Sequence, residues 1–223
     1  FPTRRSSDLI KDPDVFLQAL EIMLELSEHF PNLKYLDMGS GFKIPYQDSE
    51  EETDVRTLGK KVEKVISEFS KSTGKKFELW FEPGKFLVGK SGYLLVKANV
   101  IKQTTATVFV GVNSGFNHLI RPMFYDSYHM IENLSNPKGA ERIYTVVGNI
   151  CETDTFAWDR KMSEVKEGDI LGFHNAGAYG FTMASNYNSR FRPAEVLVHE
   201  GKDYLIRERE TMEDLLRNQV EVL

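Results

Sequence analysis

LKYLDMGSG at residues 33–41 and FELWFEPGK at residues 77–85 follow one pattern. In each, a short apolar run (residues 34–38 and 77–81) is typical of a buried strand and ends in a glycine-containing loop. A helical pattern precedes each strand, so residues 12–90 alternate helix and strand, as a parallel α/β domain does. An eight-stranded α/β barrel needs roughly 250 residues, and this segment would supply about a quarter of one.

Two amphipathic helices are predicted in this segment. The first covers residues 12–30, with Asp12 as its cap and Pro13 at its first position. The second ends before Gly74, a residue type that favours helix termination. Their apolar faces comprise Phe16, Ala19, Leu20, Met23, Leu26 and Phe30 in the first helix, and Val55, Leu58, Val62, Val65, Ile66 and Phe69 in the second.

The pattern changes after residue 90. β-Branched and aromatic residues dominate, with turn residues between them, which predicts a mostly antiparallel β-domain over residues 91–223. A turn is expected at 166–169 and a short helix at 212–216. The predicted strands are 93–101, 104–112, 143–147, 170–173, 194–198 and 204–206.

Composition excludes several classes of protein. The net charge of −5 is spread over mixed charges without a basic patch, so nucleic acid is not an expected partner. Apolar stretches are too short to cross a membrane. The single cysteine excludes an internal disulfide and fits a reducing compartment, which predicts a cytoplasmic protein. Residues 1–9 have neither an initiator Met nor an apolar signal core; we interpret them as a non-native scar and expect the natural protein to begin upstream.

Both strand-end loops could contact a cofactor. Gly39-Ser40-Gly41 offers backbone N–H groups that suit a phosphate, although a plain tight turn is an alternative. Glu82-Pro83-Gly84-Lys85 places a carboxylate and a cation at one strand end, where they could hold opposite ends of a zwitterionic cofactor. A solvated loop is the alternative there.

Three further positions are candidates in the second half. Arg121 suits carboxylate recognition, with a surface salt bridge as the alternative; because Pro122 follows, we expect Arg121 to be extended and Tyr125 to lie one turn into a short helix. Cys151 is expected in a cleft rather than as a small buried hydrophobe. Tyr179, in a glycine-rich run, could lie against a planar ligand or pack in the core. The histidines lack metal spacing, and no metal site is predicted.

The order of these motifs resembles the diaminopimelate decarboxylases among the alanine-racemase-like (fold type III) pyridoxal-phosphate enzymes. The resemblance covers residues 12–223. It implies a (β/α)8 barrel that binds pyridoxal 5'-phosphate, followed by a β-domain, and a homodimer with shared active sites. It also implies decarboxylation of meso-2,6-diaminopimelate to L-lysine and CO2, the last step of lysine biosynthesis. The motifs are LDMGSGF, FEPGK, VNSGFNHLIRPMFYDSYH, VVGNICETDTF, GAYGFTMASNYNSRFRPAEVLV and IRERET.

The resemblance assigns cofactor roles to five residues. Gly41 and Gly84 should meet the phosphate, and Glu82 should pair with the pyridine nitrogen. Lys85 stands where the family usually has arginine, so it should bind cofactor or substrate by charge without arginine's planar fork. Tyr179 should contact both cofactor and substrate.

Substrate and catalytic roles fall on the β-domain. Arg121 and Tyr125 should hold substrate groups, Arg121 a carboxylate. Cys151 should act as the catalytic acid that protonates the substrate carbon after CO2 leaves, and Glu152 should bind the distal ammonium.

Besides Lys85, two features depart from the family pattern. Ser40 replaces a frequent third glycine, and no segment matches the strand that carries the cofactor's lysine or the His-x-Gly-Ser region, which we expect upstream of residue 10. The alternatives are an ornithine, arginine or carboxynorspermidine decarboxylase of the same fold, or a non-catalytic relative. Glu152 beside Cys151, with Arg121 and Tyr125, favours diaminopimelate.

Overall fold

The computed structural model describes residues 13–47 and 49–222. The chain divides into two compact units, with the boundary between Lys90 and Ser91. The interpretation of residues 1–9 and the predicted cap Asp12 lie outside the described residues.

The first unit alternates helices with two short parallel strands. Leu36 of one strand pairs with Leu79 of the other, so the predicted parallel arrangement is present, although each strand has three residues instead of five. The elements are α1 (Pro13–Ser27), β1 (Tyr35–Asp37), α2 (Val55–Thr73), β2 (Glu78–Trp80) and α3 (Gly84–Val88), followed by a 3-10 turn at Gly89–Ser91.

The two long helices pack through narrow stripes. In α1 the buried side chains recur every three or four residues, and they include Leu24, which the predicted apolar face lacked. The prediction was wrong for Ala19 and Leu26, which are exposed, and for Phe30, which lies beyond the helix. Helix α2 begins where Asp54 accepts hydrogen bonds from two backbone N–H groups and ends at a left-handed glycine. The buried core of this unit is Phe16, Leu20, Leu24, Leu36, Leu58 and Val62.

The second unit contains a six-stranded, mostly antiparallel sheet, as predicted. Its strand order is β5-β8-β3-β4-β6-β7, and the pair β4–β6 is parallel. A hairpin of β9 and β10 forms a separate sheet. The elements are β3 (Leu94–Gln103), β4 (Val108–Val112), α4 (Arg121–Tyr125), β5 (Ile131–Asn133), β6 (Glu141–Val147), β7 (Thr155–Ser163), β8 (Ile170–Phe173), β9 (Glu195–His199), β10 (Lys202–Arg207) and α5 (Met212–Leu216), with 3-10 turns at Phe181–Met183 and Tyr187–Ser189.

The six-stranded sheet curls until its edge strands β5 and β7 approach each other. Asn133 of β5 donates a side-chain hydrogen bond of 2.8 Å to the carbonyl of Glu164, which follows β7. The enclosed core includes Tyr144, whose hydroxyl accepts a bond from the backbone N–H of Val165. Its other members include Val96, Ala98, Val110, Leu119, Val146, Phe156, Leu171 and Phe173.

Several predictions in this unit were wrong. Strands β5 and β7 were missed, β5 because it is short and β7 because Asp159, Arg160 and Lys161 interrupt its apolar pattern. Strand β4 begins at Val108 instead of residue 104, since Thr104 and Thr107 form a turn. Arg121 is the first residue of α4 rather than extended, with Pro122 in the first turn, where the proline's missing N–H costs no helical bond.

Candidate functional site

The two predicted cofactor loops of the first unit lie side by side. They follow neighbouring parallel strands, and the N–H of Glu82 donates to the carbonyl of Gly39 at 2.6 Å. One step earlier, the N–H of Met38 donates to the carbonyl of Trp80 at 3.0 Å. The strand pairing therefore continues directly into the loops and places Gly39–Gly41 beside Glu82–Lys85.

The glycine loop has a backbone that favours glycine. Gly39 and Gly41 have φ of 64° and 123°, values that side-chain-bearing residues rarely adopt. The carboxylate of Asp37 accepts the N–H of Gly39 at 2.8 Å and fixes the start of the loop. Open space surrounds the position where a Cβ of Gly39 would stand. The loop thus exposes backbone that could approach a ligand closely.

The second loop presents charge beside that backbone. Glu82 is exposed, and Gly84 begins α3. The Nζ of Lys85 lies 5.5 Å from the centroid of the Tyr46 ring, a cation–π contact. A carboxylate, a cation and glycine-rich backbone therefore occur together in the first unit.

In the second unit, Arg121, Tyr125 and Tyr179 form a cluster, which we call the arginine cluster. The Cζ of Arg121 lies 5.4 Å from the Tyr125 ring centroid and 5.6 Å from that of Tyr179. Arg121 is only 6% exposed, so the surface salt bridge considered from sequence is not what the structure shows. Its Nη2 lies 3.3 Å from the Ser127 hydroxyl, and its Nε has no hydrogen-bond partner among the described residues.

Tyr179 lies in a strained, tightly packed loop. Its φ is +59°, and its side chain is 45% exposed, so it does not belong to the core. A Cβ on Gly180 would stand 2.3 Å from the carbonyl oxygen of Ala176, and one on Gly92 would stand 2.5 Å from Gly177. Close backbone packing thus holds the tyrosine with one side available to a ligand.

Cys151 and Glu152 lie on an exposed loop between β6 and β7. Tyr187, whose role the sequence did not reveal, donates its hydroxyl to Glu152 at 2.9 Å. This hydrogen bond raises the pKa of Tyr187. The Tyr187 ring also lies 5.1 Å from that of Phe116. Tyr187 could have been suspected from its place in the GAYGFTMASNYNSRFRPAEVLV motif.

Asp154 is the second residue that sequence reasoning passed over. It is 5% exposed, and its carboxylate accepts backbone N–H bonds from Phe116 and Ile150. Burial raises the pKa of Asp154, and the two hydrogen bonds oppose that rise. Asp154 therefore fastens the loop that carries Cys151 and Glu152.

The arginine cluster and the Cys151–Glu152 pair are two separate groups. The contacts between described residues do not join them directly. The segment 179–187 contacts both groups, since Tyr179 contacts Arg121 and Tyr187 contacts Glu152. The predicted substrate residues are therefore arranged in two groups along that segment.

Three histidines of the second unit, His118, His129 and His174, make hydrogen bonds within the fold. His118 lies between the Ser114 hydroxyl and the carbonyl of Phe191, and burial lowers its pKa. His174 bonds to Glu132 at 2.7 Å. Within residues 13–47 and 49–222, no group of three or more histidine, cysteine or acidic side chains could hold a metal ion. None of the helices described there is long and apolar enough to cross a membrane.

The sequence is similar to those of known diaminopimelate decarboxylases. The chain is 42% identical over 219 residues to the diaminopimelate decarboxylase of Methanothermobacter thermautotrophicus, covering 94% of this chain and 51% of that protein. It is 41% identical over 192 residues to the diaminopimelate decarboxylase of Neisseria meningitidis serogroup A, covering 86% of this chain and 45% of that protein. The chain thus spans about half the length of the curated relatives it matches.

A solved structure agrees. The crystal structure of diaminopimelate decarboxylase from Methanocaldococcus jannaschii in complex with L-lysine superimposes with a TM-score of 0.86 at 33% identity, covering 96% of this chain and 50% of that one. Residues 17–177 match the family described as pyridoxal-dependent decarboxylase, C-terminal sheet domain. On this match, the chain belongs to the pyridoxal-dependent decarboxylases.

Proposed function

We propose that this chain is part of a cytoplasmic diaminopimelate decarboxylase, which converts meso-2,6-diaminopimelate to L-lysine and CO2. The observation that carries the proposal is Arg121, a buried residue whose guanidinium lies near two tyrosine rings and whose Nε has no hydrogen-bond partner among the described residues. Such a group is suited to a substrate carboxylate, because arginine's planar fork matches a carboxylate with two parallel hydrogen bonds.

The residues of the first unit fit pyridoxal 5'-phosphate. The positive φ of Gly39 and Gly41 leaves backbone that could approach a phosphate closely, and the adjacent Glu82 supplies an exposed carboxylate. We infer that Gly41 and Gly84 bind the phosphate and that Glu82 pairs with the pyridine nitrogen, with Lys85 adding positive charge. We infer that this region is part of a (β/α)8 barrel. When bound, the cofactor supplies an electron sink for the carbanion left by decarboxylation.

The second unit supplies groups for the substrate. Arg121 orients the substrate through a carboxylate. Tyr125 and Tyr179 lie beside that carboxylate, and Tyr179 also contacts the cofactor. Glu152 binds the distal ammonium. Cys151 holds the proton that its Sγ gives to the substrate carbon after CO2 has left. The exposure of Cys151 and Glu152 supports these roles, since both side chains are accessible to a ligand.

We further propose a homodimer in which Cys151 and Glu152 act in the partner's cofactor site. The test mixes two variants of the whole protein, Cys151→Ala and one that lacks the cofactor lysine, under subunit exchange. About a quarter of the parental activity should return, because half of the dimers are mixed and each mixed dimer has one intact site out of two. No recovery despite proven exchange would show that Cys151 serves its own chain.

Decarboxylases of ornithine, arginine or carboxynorspermidine are not favoured, because the relatives compared above are named diaminopimelate decarboxylases. A substrate without the second carboxylate would also have less use for Arg121. The non-catalytic alternative predicts no turnover at all.

Substrate preference tests the proposal. The whole protein that carries this sequence, supplied with pyridoxal phosphate, should release lysine from meso-diaminopimelate. Its kcat/KM should exceed that for L-ornithine by at least about ten- to a hundred-fold, the contribution of one charge-assisted contact. Equal turnover of ornithine would make the substrate assignment wrong, and no turnover of any of these amino acids would support the non-catalytic relative.

A further inference from the structure

Asp154 is placed between two loops that carry proposed substrate-binding groups. One is the 113–118 loop, which leads from β4 towards α4 and Arg121. The other is the 148–153 loop, which carries Cys151 and Glu152 and leads into β7. Asp154 stands at the end of the second loop and is 5% exposed.

Each carboxylate oxygen of Asp154 is committed to one loop. Its Oδ1 accepts the backbone N–H of Phe116 at 2.7 Å, and its Oδ2 accepts the backbone N–H of Ile150 at 2.9 Å. Its own carbonyl accepts the N–H of Gly148 at 2.7 Å. One side chain therefore bonds to both loops, while the main chain closes the second loop on itself.

Two glycines make room for this carboxylate. A Cβ on Gly148 would stand 2.0 Å from Oδ2, and a Cβ on Gly115 would stand 2.8 Å from the same oxygen. Neither glycine has a positive φ, so the requirement for glycine comes from close contacts and not from backbone conformation. At Gly115 the Ile150 side chain, 2.9 Å from such a Cβ, adds to the contact with Asp154. A third link, from the N–H of Asn149 to the carbonyl of Ser114 at 2.9 Å, runs between the same loops.

We propose that Asp154 is a positioning residue that fixes the Cys151–Glu152 loop against the loop leading to Arg121. The inference rests on the proposed function for its effect on turnover. Asp154 itself is buried, and its two oxygens are occupied by backbone donors, so it acts through the loops and does not contact the substrate.

Hydrogen exchange tests, independently of activity, whether the Asp154 carboxylate holds the two loops together. In Asp154→Asn, the amide nitrogen that replaces one oxygen cannot accept an N–H bond. Because asparagine keeps one accepting oxygen, protection of the amides should fall at least tenfold in at least one of the segments 114–118 and 148–153, while β6 and β8 keep theirs. The matched control is Asp159→Asn, the same change at an exposed aspartate of β7, which should alter neither segment. Unchanged protection in Asp154→Asn would overturn the proposal.

Kinetics of the whole protein test the positioning. For Asp154→Asn, kcat/KM for diaminopimelate should fall about ten- to a hundred-fold, with KM raised through Glu152 and kcat lowered through Cys151. A purely structural role would lower the thermal midpoint and leave kcat and KM of the folded protein at parental values, which would contradict the proposal. If the parent has no activity on diaminopimelate, the proposed function fails. The hydrogen-exchange result still decides whether Asp154 holds the two loops together.

A double-mutant cycle remains informative if Asp154→Asn folds poorly. Gly148→Ala displaces the carboxylate without removing it and should give the same loss of protection. In Asp154→Ala the obstructing oxygens are gone, so adding Gly148→Ala should cost little more than Asp154→Ala alone. Additive losses would mean that Gly148 and Asp154 act independently and would overturn the proposal.

Discussion

The candidate site loops of the two units are held in different ways. In the first unit, backbone bonds between neighbouring parallel strands continue into the loops, and Glu82 bonds to Gly39 through main-chain atoms. In the second unit, buried polar side chains hold the loops. Asp154 accepts hydrogen bonds from two backbone N–H groups, and Arg121 contacts the rings of Tyr125 and Tyr179.

The difference bears on what each region can do. Main-chain bonding holds the two loops without using the side chain of Glu82 or Lys85, and glycine backbone suits a phosphate that needs no particular side chain. Buried polar side chains set the direction of specific functional groups, which suits discrimination among amino-acid substrates. We therefore expect substitutions in the first unit to change cofactor affinity and those in the second, apart from Tyr179, to change substrate use.

The largest effect should come from Arg121→Met. The substitution removes the proposed carboxylate partner, and kcat/KM for diaminopimelate should fall about a hundred-fold or more, as loss of a bidentate charged contact does. Arg121→Lys should recover little, because lysine lacks the planar fork. Steady-state kinetics give the result. Arg142→Met, at a surface arginine paired with Glu164, is the control and should retain parental kinetics.

Glu152→Gln should have the next largest effect. It removes the charge proposed to face the distal ammonium, and such a bond contributes about 1.5–3 kcal/mol, or roughly ten- to a hundred-fold in kcat/KM. Folding should be unaffected, since Glu152 is exposed. The same change at exposed Glu200 serves as control. Parental kcat/KM in a folded Glu152→Gln protein would show that Glu152 does not bind the ammonium.

Gly41→Ala should have a smaller effect, confined to the first unit. At φ of 123° an alanine is strained, which costs about 1–3 kcal/mol, so both stability and pyridoxal phosphate affinity should fall, the affinity about tenfold. Gly59→Ala is the opposite control, because Gly59 is exposed within α2 with open space around it and alanine there should stabilise by about 0.5–1 kcal/mol. Urea unfolding and cofactor titration check both. Unchanged affinity in Gly41→Ala would remove the glycine loop from the cofactor site.

The smallest expected effect concerns Glu210 in the second unit. Its bonds to Arg192 lower its pKa to about 2 from an ordinary 4.5, and Asn186 adds a further bond. Because the folded-state pKa is lowered, the stabilisation is present above about pH 4.5 and is lost as the pH falls towards 2. Glu210→Gln should lower stability at pH 7 by at most about 1 kcal/mol.

Urea unfolding at pH 7 and pH 2.5 measures this difference. The gap between parent and Glu210→Gln should close at the lower pH, while exposed Glu208→Gln should show no such gap. A gap that stays constant with pH would mean that the ionised carboxylate is not what stabilises the segment.

Sequence reasoning succeeded where local chemistry decides the structure. Glycine loops after apolar runs, the end of α2 at Gly74 and the helix at 212–216 follow from period and residue type. It failed where tertiary packing decides. Nothing local marks β7 as a strand, because its polar residues conceal the buried Phe156, Ala157 and Met162.

The substrate residues show the same limit. Arg121 and Tyr179 were named from sequence, but their contact depends on a loop with φ of +59° that no pattern predicts. The part played by Asp154 depends on donors 38 and 4 residues away, which only the fold brings together.

The dissociation constant of pyridoxal phosphate, measured in Glu82→Gln and Arg121→Met forms of the whole protein, tests the division between the two regions most directly. We expect Glu82→Gln to weaken binding about tenfold or more, through loss of a charged contact, and Arg121→Met to leave it within about twofold of the parent. Equal weakening in both, or parental affinity in Glu82→Gln, would contradict the assignment of Glu82 to the cofactor and of Arg121 to the substrate.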